Sequence, residues 1–265
     1  MFKNLSLLII MLLTLNNQLV SQNIFKKDNN QQKLGPIEIK TKDCKVYDGL
    51  FKIYQNKKDG KSFIEIDTSH LEKEYIYFSY IENGITDAWL MKGSYRGSKI
   101  IKINKFFDRI EFTIHNTKYF FNEDSPLSKA SKSNISTPVI ISEKIITKNK
   151  ERTRFLISAD NIFLNESFQQ IKYSYSPAYK GFKIGNLSKS KTKFHEIRSY
   201  PENTDVIVNY TYENKYPSTK GRASVTDSRV VSVLVQHSLI RMPENNYKPR
   251  YDDTRVGYFT TKTNH

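Results

Sequence analysis

The chain has 265 residues and a formal net charge of +15, with 42 Lys and Arg against 27 Asp and Glu. That length suits one sizeable domain or two small ones, and a single cysteine, Cys44, excludes an internal disulfide framework. The charge lies in short patches, Lys26-Lys27, Lys57-Lys58 and Lys189, Lys191 and Lys193, without aromatics interleaved on one element. This argues against a nucleic-acid partner; attraction to an anionic cell surface fits better.

In chain order, Lys3 precedes the apolar run Leu7–Leu13, and polar Asn16, Asn17 and Gln18 follow. A charged start and a short apolar core predict a secretory signal helix over residues 1–22, too short to be a stable membrane span. Export would leave the mature chain in the periplasm, on the cell surface or outside the cell. Cys44 lies too far from the run to be a lipid anchor. Residues 23–45 are polar, with Asp28, Asn29, Asn30, Gly35 and Pro36, and read as a flexible leader. A β-rich domain follows over 46–265, either one body or two packed halves, 46–160 and 161–265.

Tyr47–Gln55 and Ser62–Ile66 form a hairpin about Asp59-Gly60, with Phe51 and Ile53 facing opposite to Leu50, Lys52 and Tyr54. Asp67–Glu74 makes at most one capped helical turn. Tyr75–Tyr80 is apolar on both faces and reads as a central strand. Lys99–Lys105 leads into Arg109–His115, where Ile110, Phe112 and Ile114 face inward and Glu111, Thr113 and His115 outward. Ser125–Ser136 is a polar connector. Pro138–Thr147 and Thr153–Ser158 are the next pair, and Ala159–Leu164 is a short helix or turn. A loop rich in Ser, Lys and Tyr spans 166–192. Val206, Val208, Tyr210 and Tyr212 then alternate with polar neighbours, and Arg229–Arg241 is the last and longest strand. The fold class is mainly β: twisted, mostly antiparallel sheets, sandwich or open-barrel-like, with few short helices. Arg229–Arg241 has no obvious partner after it, so a free strand edge and self-association are expected.

The five histidines are His70, His115, His195, His237 and His265. A helical zinc site needs two of them at i and i+4 with a Glu between. Phe194-His-Glu-Ile-Arg-Ser199 puts Ser199 where the second His belongs, which favours a surface His-Glu at a strand start. His237 alternates with Val231, Val233 and Val235, as a core or interface histidine does; a ligand role is the alternative. No nucleophile elbow, P-loop or dinucleotide glycine pattern occurs. Glu123-Asp124 and Asp252-Asp253 sit on loops, the second pair beside Arg250 and Arg255, with which it is expected to ion-pair. Tyr47, Tyr77, Tyr80, Trp89, Tyr95 and Tyr200 offer either core packing or a sugar- or peptide-binding platform. The candidate partner-binding residues are Tyr80, Trp89, Tyr95 and His237. No residue is assigned a catalytic, cofactor or metal role.

Five motifs in order carry a resemblance: Asp48-Gly-Leu-Phe-Lys-Ile-Tyr-Gln55, Phe63-Ile-Glu-Ile66, Arg96-Gly-Ser-Lys-Ile-Ile-Lys-Ile103, Ser199-Tyr-Pro-Glu-Asn-Thr-Asp-Val206 and Gln236-His-Ser-Leu-Ile240. With the tail Pro249-Arg-Tyr-Asp-Asp-Thr-Arg-Val-Gly-Tyr-Phe259, the chain resembles the N-terminal, non-catalytic region of secreted bacterial zinc-dependent metalloproteases. In that family these modules have no assigned biochemical role, and a metzincin-like domain with H-E-x-x-H-x-x-G-x-x-H follows. No such motif occurs here. The resemblance therefore implies a truncated, accessory region that is inactive alone. Zinc is expected only in the catalytic domain of relatives, and a protease domain, in the same or a companion chain, is the implied partner. A stand-alone glycan- or peptide-binding module is the alternative. A third reading, an enzyme, needs His195 and Glu196 to converge with a distant ligand.

Overall fold

The computed structural model describes residues 34–119, 126, 128, 133–217, 219–244 and 246. The predicted signal helix, the start of the leader, Glu123-Asp124 and the Arg250–Phe259 tail lie outside them.

Helix α1 (Pro36–Thr41) opens the described chain. Strands β1 (Cys44–Tyr47), β2 (Lys52–Asn56) and β3 (Ser62–Asp67) follow. Gly60, at φ 74°, gives the β2–β3 turn the positive φ that its Asp-Gly sequence predicts. Asp67 caps a 3-10 turn, Thr68–His70, by accepting from the Ser69 amide at 2.8 Å. Then come β4 (Glu74–Asn83), β5 (Tyr95–Phe106), β6 (Arg109–His115), β7 (Val139–Lys144), β8 (Thr147–Lys148) and β9 (Arg154–Ser158). Helix α2 (Asp160–Phe163) precedes β10 (Asn186–Leu187), β11 (Lys193–Ser199), β12 (Asn203–Glu213) and β13 (Val230–Arg241).

The strands make two antiparallel sheets, ordered β1-β2-β3-β9-β8 and β10-β12-β13-β4-β5-β6-β7, with β11 also on β12. One sheet curls into a half-barrel. The mainly β, antiparallel expectation holds. Alternation explains the layering: on β4, Tyr75, Tyr77, Ser79 and Ile81 are buried, while Ile76, Phe78 and Tyr80 are half-buried on the other face. Phe51, just before β2, and Ile53, Ile64 and Ile66 of the smaller sheet share one core with Tyr77, Ile101, Phe112, Val208 and Val235 of the larger.

Four expectations need correction. Residues 36–45 are not leader: Ile37 is fully buried with Cys44, Tyr54 and Leu156. The Arg154 guanidinium meets Glu38 at 2.8 Å and Glu65 at 3.4 Å, tying α1 to the sheet. Residues 46–160 and 161–265 are not separate halves, because β4 lies between β13 and β5 in one sheet. Residues 138–147 and 153–158 do not pair as one hairpin. β7 joins β6, and β9 joins β3 and the two-residue β8. Finally, β13 is no free edge: it pairs with β12 along Val230–Ile240 and with β4 along Leu234–Arg241. Its partners precede it in sequence, where period-two patterns do not reveal register.

Candidate functional site

Two of the motif segments, 48–55 and 199–206, meet at a seam between the sheets. Leu50 donates its amide to the Tyr200 carbonyl at 2.6 Å. Phe51 donates to Thr204 Oγ1 at 3.1 Å, and Ser199 Oγ donates back to the Phe51 carbonyl at 2.9 Å. A Cβ on Gly49 would lie 2.4 Å from Ser199 Oγ and 2.5 Å from the Tyr200 nitrogen. Only glycine fits there. Motif 48–55 is thereby buttoned to motif 199–206.

His237 sits behind this seam, 1 % exposed. Its Nδ1 is 2.8 Å from the Tyr77 hydroxyl and its Nε2 is 2.9 Å from that of Tyr210. Tyr210 donates to the Phe163 carbonyl at 2.6 Å. Its oxygen is therefore free to accept from Nε2–H, which leaves Nδ1 to accept from Tyr77. Burial, and then the charge of Lys99, hold the imidazole down to about 3, so it stays neutral. It is a satisfied core histidine, closed off from any partner.

The other three candidates part company. Tyr80 and Tyr95 are cross-strand partners, with Tyr80 donating to Gln236 Oε1 at 2.7 Å and Tyr95 62 % exposed. Trp89 lies in the β4–β5 connection, after a 3-10 turn over Thr86–Ala88. It adopts φ 60°, unusual for a bulky residue, and is 63 % exposed. It lines an open cleft of about 230 Å³ with Tyr173, Ser174, Tyr175, Ser176 and Tyr179.

The loop carrying these tyrosines is held from below. Glu166 Oε1 accepts from the amides of Ile171 and Lys172 and from the Tyr212 hydroxyl, at 2.8, 3.0 and 2.9 Å. Phe168 and Ile171 are buried beneath. Arg96 donates to the Ile171 carbonyl at 2.7 Å and places its guanidinium 4.1 Å from the Tyr173 ring centre. Tyr175 and Tyr179 stack at 5.1 Å, and the Ile184 amide donates to the Tyr175 hydroxyl at 3.2 Å. Sequence reading placed these tyrosines in a loop without seeing the cleft. The available signal was their density in Tyr173-Ser-Tyr-Ser-Pro-Ala-Tyr179, far above what a solvated loop requires.

His195 and Glu196 are exposed at a bulge between Phe194 and Glu196, with Glu196 paired to Arg198. His237, by contrast, is buried in the core. Of the wider aromatic set, Tyr77 is core, Tyr47 is half-buried and Tyr200 is exposed at the seam. Among the described residues no group of three or more His, Cys, Asp or Glu is placed to share a metal ion, and no helix is long and apolar enough to cross a membrane.

A family model described as Domain of unknown function (DUF5117) matches residues 93–265, and the chain belongs to that family. A second, Domain of unknown function (DUF5118), matches residues 36–84. No curated protein and no solved structure matches the chain. The two matched segments are not two bodies. Residues 36–84 supply α1 and β1–β4, and β4 is the strand between β5 and β13 of the other segment.

Proposed function

We propose that this member of the DUF5117 family is a non-catalytic, structural region of an exported zinc-dependent metalloprotease, and that it supports a protease domain carried in the same or a companion chain. The observation that carries the reading is the seam. Two of the five segments that bear the resemblance, 48–55 and 199–206, bind one another through Gly49, Leu50–Tyr200 and Phe51–Thr204, rather than lining a reaction centre. A second observation is consistent with it. The sequence's most site-like histidine, His237, is occupied on both nitrogens by tyrosines. Zinc chemistry would belong to the partner domain.

The test uses native material. Antibodies to the seam-containing domain should capture, from the source cells' exported fraction, a polypeptide or complex with casein-hydrolysing activity that a chelator removes and zinc restores. Capture of a chain near 31.0 kDa less its leader, free of such activity, would overturn the proposal.

A further inference from the structure

Three loops converge at one end of the larger sheet: the β4–β5 connection with Trp89, the tyrosine loop 173–185, and the β12–β13 connection, described over 214–217 and 219–229. The last is tied to the other two. The Arg222 amide donates to Asp87 Oδ2 at 2.6 Å, and Thr219 Oγ1 to the Gly181 carbonyl at 3.1 Å. The β12–β13 connection, tied in this way to the loops of the aromatic cleft, carries a second hollow of about 570 Å³, lined by Lys215, Tyr216, Pro217, Lys220 and Thr226–Arg229. Tyr216 is 80 % exposed, with Lys215 Nζ 5.5 Å from its ring centre.

The charge here is unbalanced. Lys180, Lys183, Lys215, Lys220 and the Arg222 side chain pair with no carboxylate among the described residues. Of the acids on these loops, Asp227 pairs with Arg229, Glu213 pairs with Lys191, and Asp87 accepts from the Arg222 amide. Exposed rings beside unpaired cations call for a ligand with flat apolar faces and negative charge.

We propose that this loop end is a binding site for an acidic polysaccharide. Sugar rings lie with their C–H faces on Trp89, Tyr173 and Tyr216. The hydroxyls of Ser174 and Ser176 bond the sugar edges. Carboxylate or sulfate groups meet Lys215, Lys220 and Arg222. The cleft is open rather than enclosed, which does not suit the desolvated side-chain anchor on which a protein partner depends. Its rings sit on three separate loops rather than in file along a basic track, as stacked nucleotides require. The site stands independently of the proposed protease partnership.

The experiment is calorimetric titration of the exported chain with polygalacturonate oligomers and with heparin. A neutral cello-oligosaccharide, oligo-dT and polyglutamate serve as comparators. At least one acidic glycan should bind more tightly than all three comparators. Trp89→Gly suits the left-handed backbone at that position and removes the ring, so it should fold normally and bind about tenfold more weakly. Lys215→Gln with Lys220→Gln should weaken binding and flatten its salt dependence. Tyr216→Ala, at an 80 % exposed position, provides a ring deletion that places no demand on the fold. Equal or tighter binding of any comparator, no glycan binding, or unchanged affinity in both ring variants would overturn the proposal.

Discussion

His237 shows what a single buried polar group contributes. With both ring nitrogens bonded to tyrosine hydroxyls inside the core, its removal leaves Tyr77 unpaired and opens a cavity. His237→Ala should cost about 3 kcal/mol, read from urea unfolding. Its protonation makes a second prediction. The folded-state value is about 3, well below the roughly 6.5 of an unfolded histidine. Between those values the unfolded chain binds the extra proton, so this contribution is complete above about pH 6.5 and is lost as pH falls toward 3. Half-buried His70, also lowered by burial, acts in the same direction. His237→Gln removes the titration, so the stability gap between wild type and variant should narrow from about pH 7 to about pH 4. A constant gap would contradict the buried neutral assignment. The alternation of His237 with three valines made its core placement legible in sequence. The tyrosine partners were not legible, because Tyr77 and Tyr210 lie 160 and 27 residues away.

At the scale of elements, the seam depends on backbone proximity. Gly49→Ala forces a methyl group into Ser199 and Tyr200, and should destabilise by about 2 kcal/mol without altering the tyrosine loop. Thr204→Val should cost about 1 kcal/mol by leaving the Phe51 amide unpaired. Chemical denaturation reads both, and a neutral Gly49→Ala would mean that the two motifs do not pack this closely. Local patterns disclosed most of the strands. Asp59-Gly60 set a turn, and the double-faced apolar run 75–80 marked a central strand, which β4 is. The two-residue strands β8 and β10 left no periodic trace. The pairing of β13 was invisible for a different reason. Both neighbours are distant, and register depends on which faces bury together, not on any local signal. The cleft was half legible: Trp89 was singled out, but its partners come from a loop with no strand or helix periodicity.

For the whole molecule, the sheet order joins what the family models divide. Residues 36–84 end in β4, whose two edges are covered by β5 and β13 from the 93–265 segment. Neither segment closes its core alone. Expressed separately, both should give unfolded circular-dichroism spectra and rapid proteolysis, and mixing them should restore the protected form. A cooperative thermal transition from either fragment alone would refute this. One interlocked body of this kind, with two of its motifs joined at the seam, fits the proposed role as a supporting region. The most direct test of that proposal is the composition of the native species, by intact mass spectrometry and zinc analysis of material captured from the source cells through this domain. The account predicts one polypeptide, or a stable complex, that carries a zinc-loaded protease domain with it. A zinc-free chain isolated alone, with no companion, would contradict it.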